Sequence, residues 1–238
     1  MSLKGTESTM STACGFSGHC ARAIALLLVA FSVTAFAGLT ETVCETRGVK
    51  VVASLAQDAA DACRGAKDAM DFFNAEHLKT DIQVEIHVQD SLPPELSPNA
   101  AGCFIQADKK ILMRPYASFR KNKTWFDVPI DRRLYRSLAA HEVGHALGSC
   151  NFAIPNPSIQ AKEYVAYITM FATMDAALRA RILKASPGPG FKNPDRLIAL
   201  LYMFEPMRFG VEAYRHHLSA DYGGSYLQKV LDGKALVD

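Results

Sequence analysis

Apolar and polar positions change period along the chain, and the changes predict its elements in turn. Val49-Lys50-Val51-Val52-Ala53 reads as a short strand. From about residue 55 to 78, Leu55, Ala59, Ala62, Cys63, Ala66, Met70 and Phe73 recur at steps of three and four. Asp58, Asp61, Arg64 and Lys67 lie opposite them, so the stretch predicts an amphipathic helix. Ile82-Gln83-Val84-Glu85-Ile86-His87-Val88 alternates and predicts a half-buried strand, with His87 on its solvated phase. Pro93, Pro94, Pro98 and Gly102 make the next stretch a loop. Residues 103–107 and 110–114 flank Asp108-Lys109 as a hairpin or two neighbouring strands. Residues 115–129 form a polar connection that carries the only tryptophan, Trp125.

The period then becomes helical. Asp131 is placed to cap a helix on which Leu134, Leu138, His141 and His145 follow at spacings of four, three and four. Gly148-Ser149 predicts its end. Residues 150–157 are turn-rich, and Ser158 caps a second helix over roughly 159–184. Glu163, Ala166, Tyr167, Met170, Met174 and Ala177 share one face of it. Residues 186–190 break the chain, residues 197–217 resume as helix interrupted at Pro206, and a short amphipathic helix follows Gly223-Gly224. The pattern is that of an α+β domain: a small mixed sheet with an N-terminal helix, then a helix pair and C-terminal helices.

Composition sets the setting. The chain has 238 residues, 49% hydrophobic and 21% charged, enough for one well-packed domain. A net charge of +2 without a basic run argues against nucleic acid as a partner. Arg22 precedes an apolar stretch from Ala23 to Thr34, followed by Ala35-Phe36-Ala37. This is the pattern of a secretory signal cleaved after Ala37, leaving residues 38–238 as a single secreted or periplasmic domain. The stretch is short of the about 20 residues a membrane span needs; the alternative is an uncleaved N-terminal anchor. Of six cysteines, Cys14 and Cys20 leave with the signal. Cys44, Cys63, Cys103 and Cys150 remain, and in an oxidising compartment two disulfides are expected. Cys44–Cys63 with Cys103–Cys150 is the favoured of three pairings; four buried thiols are the alternative. Asn122-Lys123-Thr124 fits a glycosylation acceptor in a eukaryotic secretory pathway.

The candidate chemistry lies in His141-Glu142-Val143-Gly144-His145. Positions four apart share one helix face, so both imidazoles can reach one Zn²⁺. Glu142 is next to the first ligand and can take a proton from a water whose pKa the metal lowers towards about 7. Glu163 heads an otherwise apolar stripe, an expensive place for a carboxylate unless a cation partners it. It is the third expected ligand.

These residues resemble zinc metallopeptidases of the gluzincin type, in a minimal, single-domain form. The resemblance covers roughly residues 82–183 and implies a zincin-like fold in which His141, His145 and Glu163 bind zinc. It implies that Glu142 acts as general base and then proton shuttle. It also implies that an edge strand between Cys103 and Arg114 pairs with an extended peptide or protein substrate. A downstream His or Tyr steadies the oxyanion in that family; Tyr214, His216 and His217 are the candidates, with Tyr214 and His217 carried as catalytic. The family's acidic residue four places after the ligand Glu is replaced by Tyr167. A rival resemblance, to metzincins, would put Asn151 at the third ligand position, where the side chain is a poor zinc ligand. Two functions follow: an exported zinc metallopeptidase, or a non-catalytic exported protein that keeps the zinc site as structure or binding surface. Only three protein ligands are in view, whereas structural zinc sites fill all four positions. The sequence leaves the oligomeric state open.

Overall fold

The computed structural model describes residues 38–96, 100–186, 197–219 and 223–237. The signal segment expected over residues 1–37 lies outside them, as does most of the break after Ser186.

Five strands form one mixed sheet: β1 (Thr40–Val43), β2 (Val49–Ala53), β3 (Val84–Val88), β4 (Gly102–Ile105) and β5 (Lys110–Met113). Their order is β1-β2-β3-β5-β4. The three central strands run parallel, and β1 and β4 are antiparallel edges. A parallel β2–β3 pair needs a long crossover, which helix α1 (Ala56–Ala75) supplies. Alternation works as expected: Val49, Val51, Ala53, Val84, Ile86 and Val88 are buried, while Lys50 and Glu85 face out. His87 pairs with Glu85 at 3.1 Å. The architecture is α+β with a small mixed sheet, as the pattern predicts.

The polar connection holds structure that its composition hides. It forms a short helix α2 (Tyr116–Phe119) and a small hairpin of β6 (Thr124–Trp125) and β7 (Val128–Pro129). Helix α3 (Arg132–Asn151) follows, with the Asp131 side chain accepting from the Leu134 N–H at 3.0 Å. It runs through Gly148 rather than stopping there, because Val165 and Phe152 pack where a side chain would stand. Asn151 ends it, its amide bonding both the N–H and the C=O of Lys79 at 2.9 Å. Asp58 is buried rather than solvated, because Arg132 of α3 reaches back to Asp58 and Asp61.

The helix expected over 159–184 is two. Helix α4 (Ile159–Thr173) stops at an extended Met174, and Asp175 caps α5 (Ala176–Ala185) through the Leu178 N–H. Helices α6 (Ala199–Phe204) and α7 (Pro206–Leu218) divide at Pro206, which opens α7 at its first turn. Helix α8 (Gly223–Leu231) packs on α7. One continuous apolar core joins sheet and helices. No helix among the described residues is long and apolar enough to cross a membrane.

Cys44 and Cys63 form the expected disulfide between the N-terminal segment and α1. The second expected disulfide is not present: Cys103 and Cys150 are free. Cys103 sits half-buried on β4, its sulfur hydrogen-bonded to the Leu112 backbone. Cys150 stays on the exposed side of the uninterrupted α3, beside Ser149.

Candidate metal centre

Helices α3 and α4 build the centre between them. Their backbones approach at Gly144, where an added Cβ would meet Thr169 at 3.1 Å and Ala166 at 3.2 Å. That closeness brings the inward stripe of α3 against the inward stripe of α4. His141 and His145 place their Nε2 atoms 3.2 Å apart. Glu163 turns one carboxylate oxygen towards each, at 3.6 Å from His141 Nε2 and 3.6 Å from His145 Nε2. In a tetrahedral zinc site with bonds of about 2.0–2.1 Å, ligand atoms lie about 3.3–3.4 Å from one another. One ligand atom from each of the three residues lies within 4.8 Å of the others, so this cluster could hold a metal ion.

Electrostatics point the same way. Burial pushes His141 well below its ordinary pKa, helped by His145. Burial lowers His145 to about 4, with Lys162 adding to the effect. Both imidazoles are therefore neutral at physiological pH, the form that binds metal. Burial raises Glu163 to about 7, opposed by a hydrogen bond from Tyr202 and by Lys162. Burial also holds Glu142 well above its usual range, with the Glu163 charge adding to it. Two buried carboxylates side by side are unfavourable without a cation. The Oε2 atom of Glu163 and the Nδ1 atom of His141 are buried with no hydrogen-bond partner among the described residues. A cation in the triangle would satisfy the first.

Metal-ligating histidines usually anchor their second ring nitrogen on a carboxylate. The Tyr167 ring packs against that of His141 at 4.5 Å. Asn151, the rival third ligand, is committed to the Lys79 backbone.

The cluster opens into a cavity of about 1180 Å³, lined by β4, by the α3–α4 connection and by the start of α7. Glu142 faces β4: an added Cβ on Gly102 would lie 2.7 Å from its Oε1. Tyr214 and His217 do not line this cavity. Tyr214 stacks on Phe171 at 5.3 Å, and His217 lies against Phe72 of α1, because α7 turns those positions into the helix packing. His216 is buried against Tyr164 and Tyr226. The hydroxyl that does reach the cluster is that of Tyr202, on α6. Reasoning from sequence missed it. Its one signal was a lone aromatic hydroxyl inside the apolar run Ala199-Leu200-Leu201-Tyr202-Met203-Phe204.

A family model described as "Family of unknown function (DUF6639)" matches residues 49–238. No curated protein and no solved structure matches the chain.

Proposed function

The chain belongs to that family of unknown function, and from its site we propose that it is an exported zinc-dependent metallopeptidase. The observation that carries the reading is the convergence of His141, His145 and Glu163, with the Glu142 carboxylate lining the same cavity against edge strand β4. His141, His145 and Glu163 would hold the ion. Bound there, zinc supplies a Lewis acid for a carbonyl and acidifies water. Glu142 takes the proton from the attacking water and returns it to the leaving amine. Among the described residues, edge strand β4 is paired on one side only and would offer backbone N–H and C=O groups to an extended peptide. Tyr202, rather than Tyr214 or His217, places a hydroxyl beside the reacting centre. The Cys44–Cys63 disulfide supports an oxidising, extracytoplasmic setting.

One observation favours a second reading, a non-catalytic protein that keeps zinc for structure or binding. His141 Nδ1 has no hydrogen-bonded carboxylate behind it. Glu142→Gln separates the two. For a peptidase, the variant binds zinc at the wild-type ratio and loses casein or peptide cleavage. Zinc bound by the wild type without cleavage of any substrate in a peptide library leaves the second reading; no zinc bound removes both.

A further inference from the structure

The wall of the cavity beyond Glu163 has a chemistry of its own. Tyr202 hydrogen-bonds Glu163 and packs against Phe209 at 5.8 Å. Met207 opens onto the cavity, and its sulfur accepts the Phe126 N–H at 3.2 Å. Trp125 also lines the cavity, with its ring 4.8 Å from that of Phe126. These three uncharged side chains line the cavity as a strip whose Tyr202 member bonds Glu163. Buried Phe126 and Phe209 pack against Trp125 and Tyr202, and Tyr167 lines the cavity beside them. The hairpin that presents Trp125 turns through Phe126 and Asp127, both at positive φ (52° and 57°). Such a turn strongly prefers Asn or Gly. It holds here because Phe126 is anchored in the core and its N–H is taken by Met207.

We propose that Tyr202, Met207 and Trp125 form a specificity subsite that receives one large apolar or aromatic side chain of the substrate polypeptide, next to the bond being cut. The proposal deepens the peptidase reading and rests on it for the identity of the substrate. The strip carries no charged side chain, so an acidic or basic substrate residue would lose its hydration there with no partner. Phenol, thioether and indole give a surface that a Phe or Leu side chain covers with good contact. The charged groups lining the cavity, Lys162, Glu142 and Glu163, lie at the metal end.

Trp125 is the chain's only tryptophan, so its emission reports occupancy without any need for turnover. The zinc-loaded Glu142→Gln protein is titrated with capped peptides of alternating Ala and one variable residue: Phe, Leu, Ala, Asp or Lys. Phe and Leu peptides are expected to change Trp125 emission saturably and to bind at least about tenfold tighter than the others. Met207→Lys should remove that discrimination while zinc content is unchanged. Emission unmoved by every peptide, or equal affinity across the series, overturns the subsite even if the wild type cleaves peptides. Apolar-selective binding with no cleavage by the wild type upholds the pocket for an apolar side chain and overturns its placement beside a scissile bond together with the peptidase reading.

Discussion

Gly102 of β4 and Glu142 of α3 are in direct contact: a Cβ built on the glycine would lie 2.7 Å from Oε1 and 3.0 Å from Cδ of the glutamate. Any side chain there displaces the carboxylate or the edge strand. The candidate metal ligands, His141 just before Glu142, His145 nearly a turn further along α3 and Glu163 on α4, are not among the atoms that this Cβ would meet first. Gly102→Ala is therefore expected to keep zinc and lower kcat/KM by about 10²-fold, the usual effect of shifting a catalytic group by about 1 Å. Zinc stoichiometry and peptide kinetics on the same preparation check it. Full activity in the variant would mean that the Glu142 position does not set the rate.

Zinc should act as a folding ligand. The three candidate ligands come from two helices, His141 and Glu163 buried and His145 partly buried, so a native state that binds the ion would hold it far better than the unfolded chain. With free zinc at about 1,000 times Kd, the native state gains about 4 kcal/mol. For a domain of this size that is a rise in Tm of about 8–16 °C over protein in chelator. His141→Ala should abolish the rise and Glu142→Gln should keep it, read by thermal scans with zinc and with chelator. A Tm indifferent to zinc would leave the triangle as three packed side chains.

Much of this was legible in the sequence, and the parts that were not share a cause. Period-2 alternation placed β2 and β3, and the stripe Leu134, Leu138, His141, His145 placed α3 with its Asp131 cap. The place of Glu163 beside the two histidines was legible because a carboxylate on an apolar face is costly without a partner. What failed depended on partners far along the chain. Gly148 looked like a helix stop until Val165 packed over it. Asp175 as a cap, dividing 159–184 into α4 and α5, was hidden in an unbroken periodic run. Tyr214 and His217 had the right chemistry, but the rotation of α7 sends them into packing. Tyr202 belongs to a short element with no periodicity to orient it. Cys103 and Cys150 paired on paper because their count was even.

The cysteines give a direct check of connectivity. In protein beginning at Gly38, native thiol titration should find two reactive groups. Cys150, exposed at the end of α3, should react fast. Cys103 should react slowly, because burial pushes its thiol up to about 11, with the Glu142 charge contributing. The Cys44–Cys63 bridge spans 19 positions. Closing a loop of that size stabilises by about 3 kcal/mol in the chain-entropy account. Cys44→Ala with Cys63→Ala should lower the unfolding free energy by about that amount in a denaturant series. No reactive thiol in the native protein would mean that Cys103 and Cys150 are bridged after all.

His216 should set part of the acid limit of the fold. It is buried, its Nδ1 is 3.0 Å from the Tyr164 hydroxyl, and its ring lies 4.4 Å from that of Tyr226. Burial lowers its pKa to about 4, with His217 beside it adding to the effect. An unfolded histidine titrates near about 6.5. Between those values the unfolded chain binds a proton that the native state refuses, so stability rises with pH across that window. Read downward, the contribution is complete above about pH 6.5 and is lost as pH falls towards 4, with a total on the order of 2–3 kcal/mol. His216→Asn keeps a polar partner for Tyr164 but cannot titrate. The plot of its unfolding free energy against pH should be flatter than wild type by up to one proton between pH 4 and 6.5, and parallel to it above pH 7. Parallel curves throughout would mean that His216 takes up its proton in the folded protein as readily as in the unfolded chain.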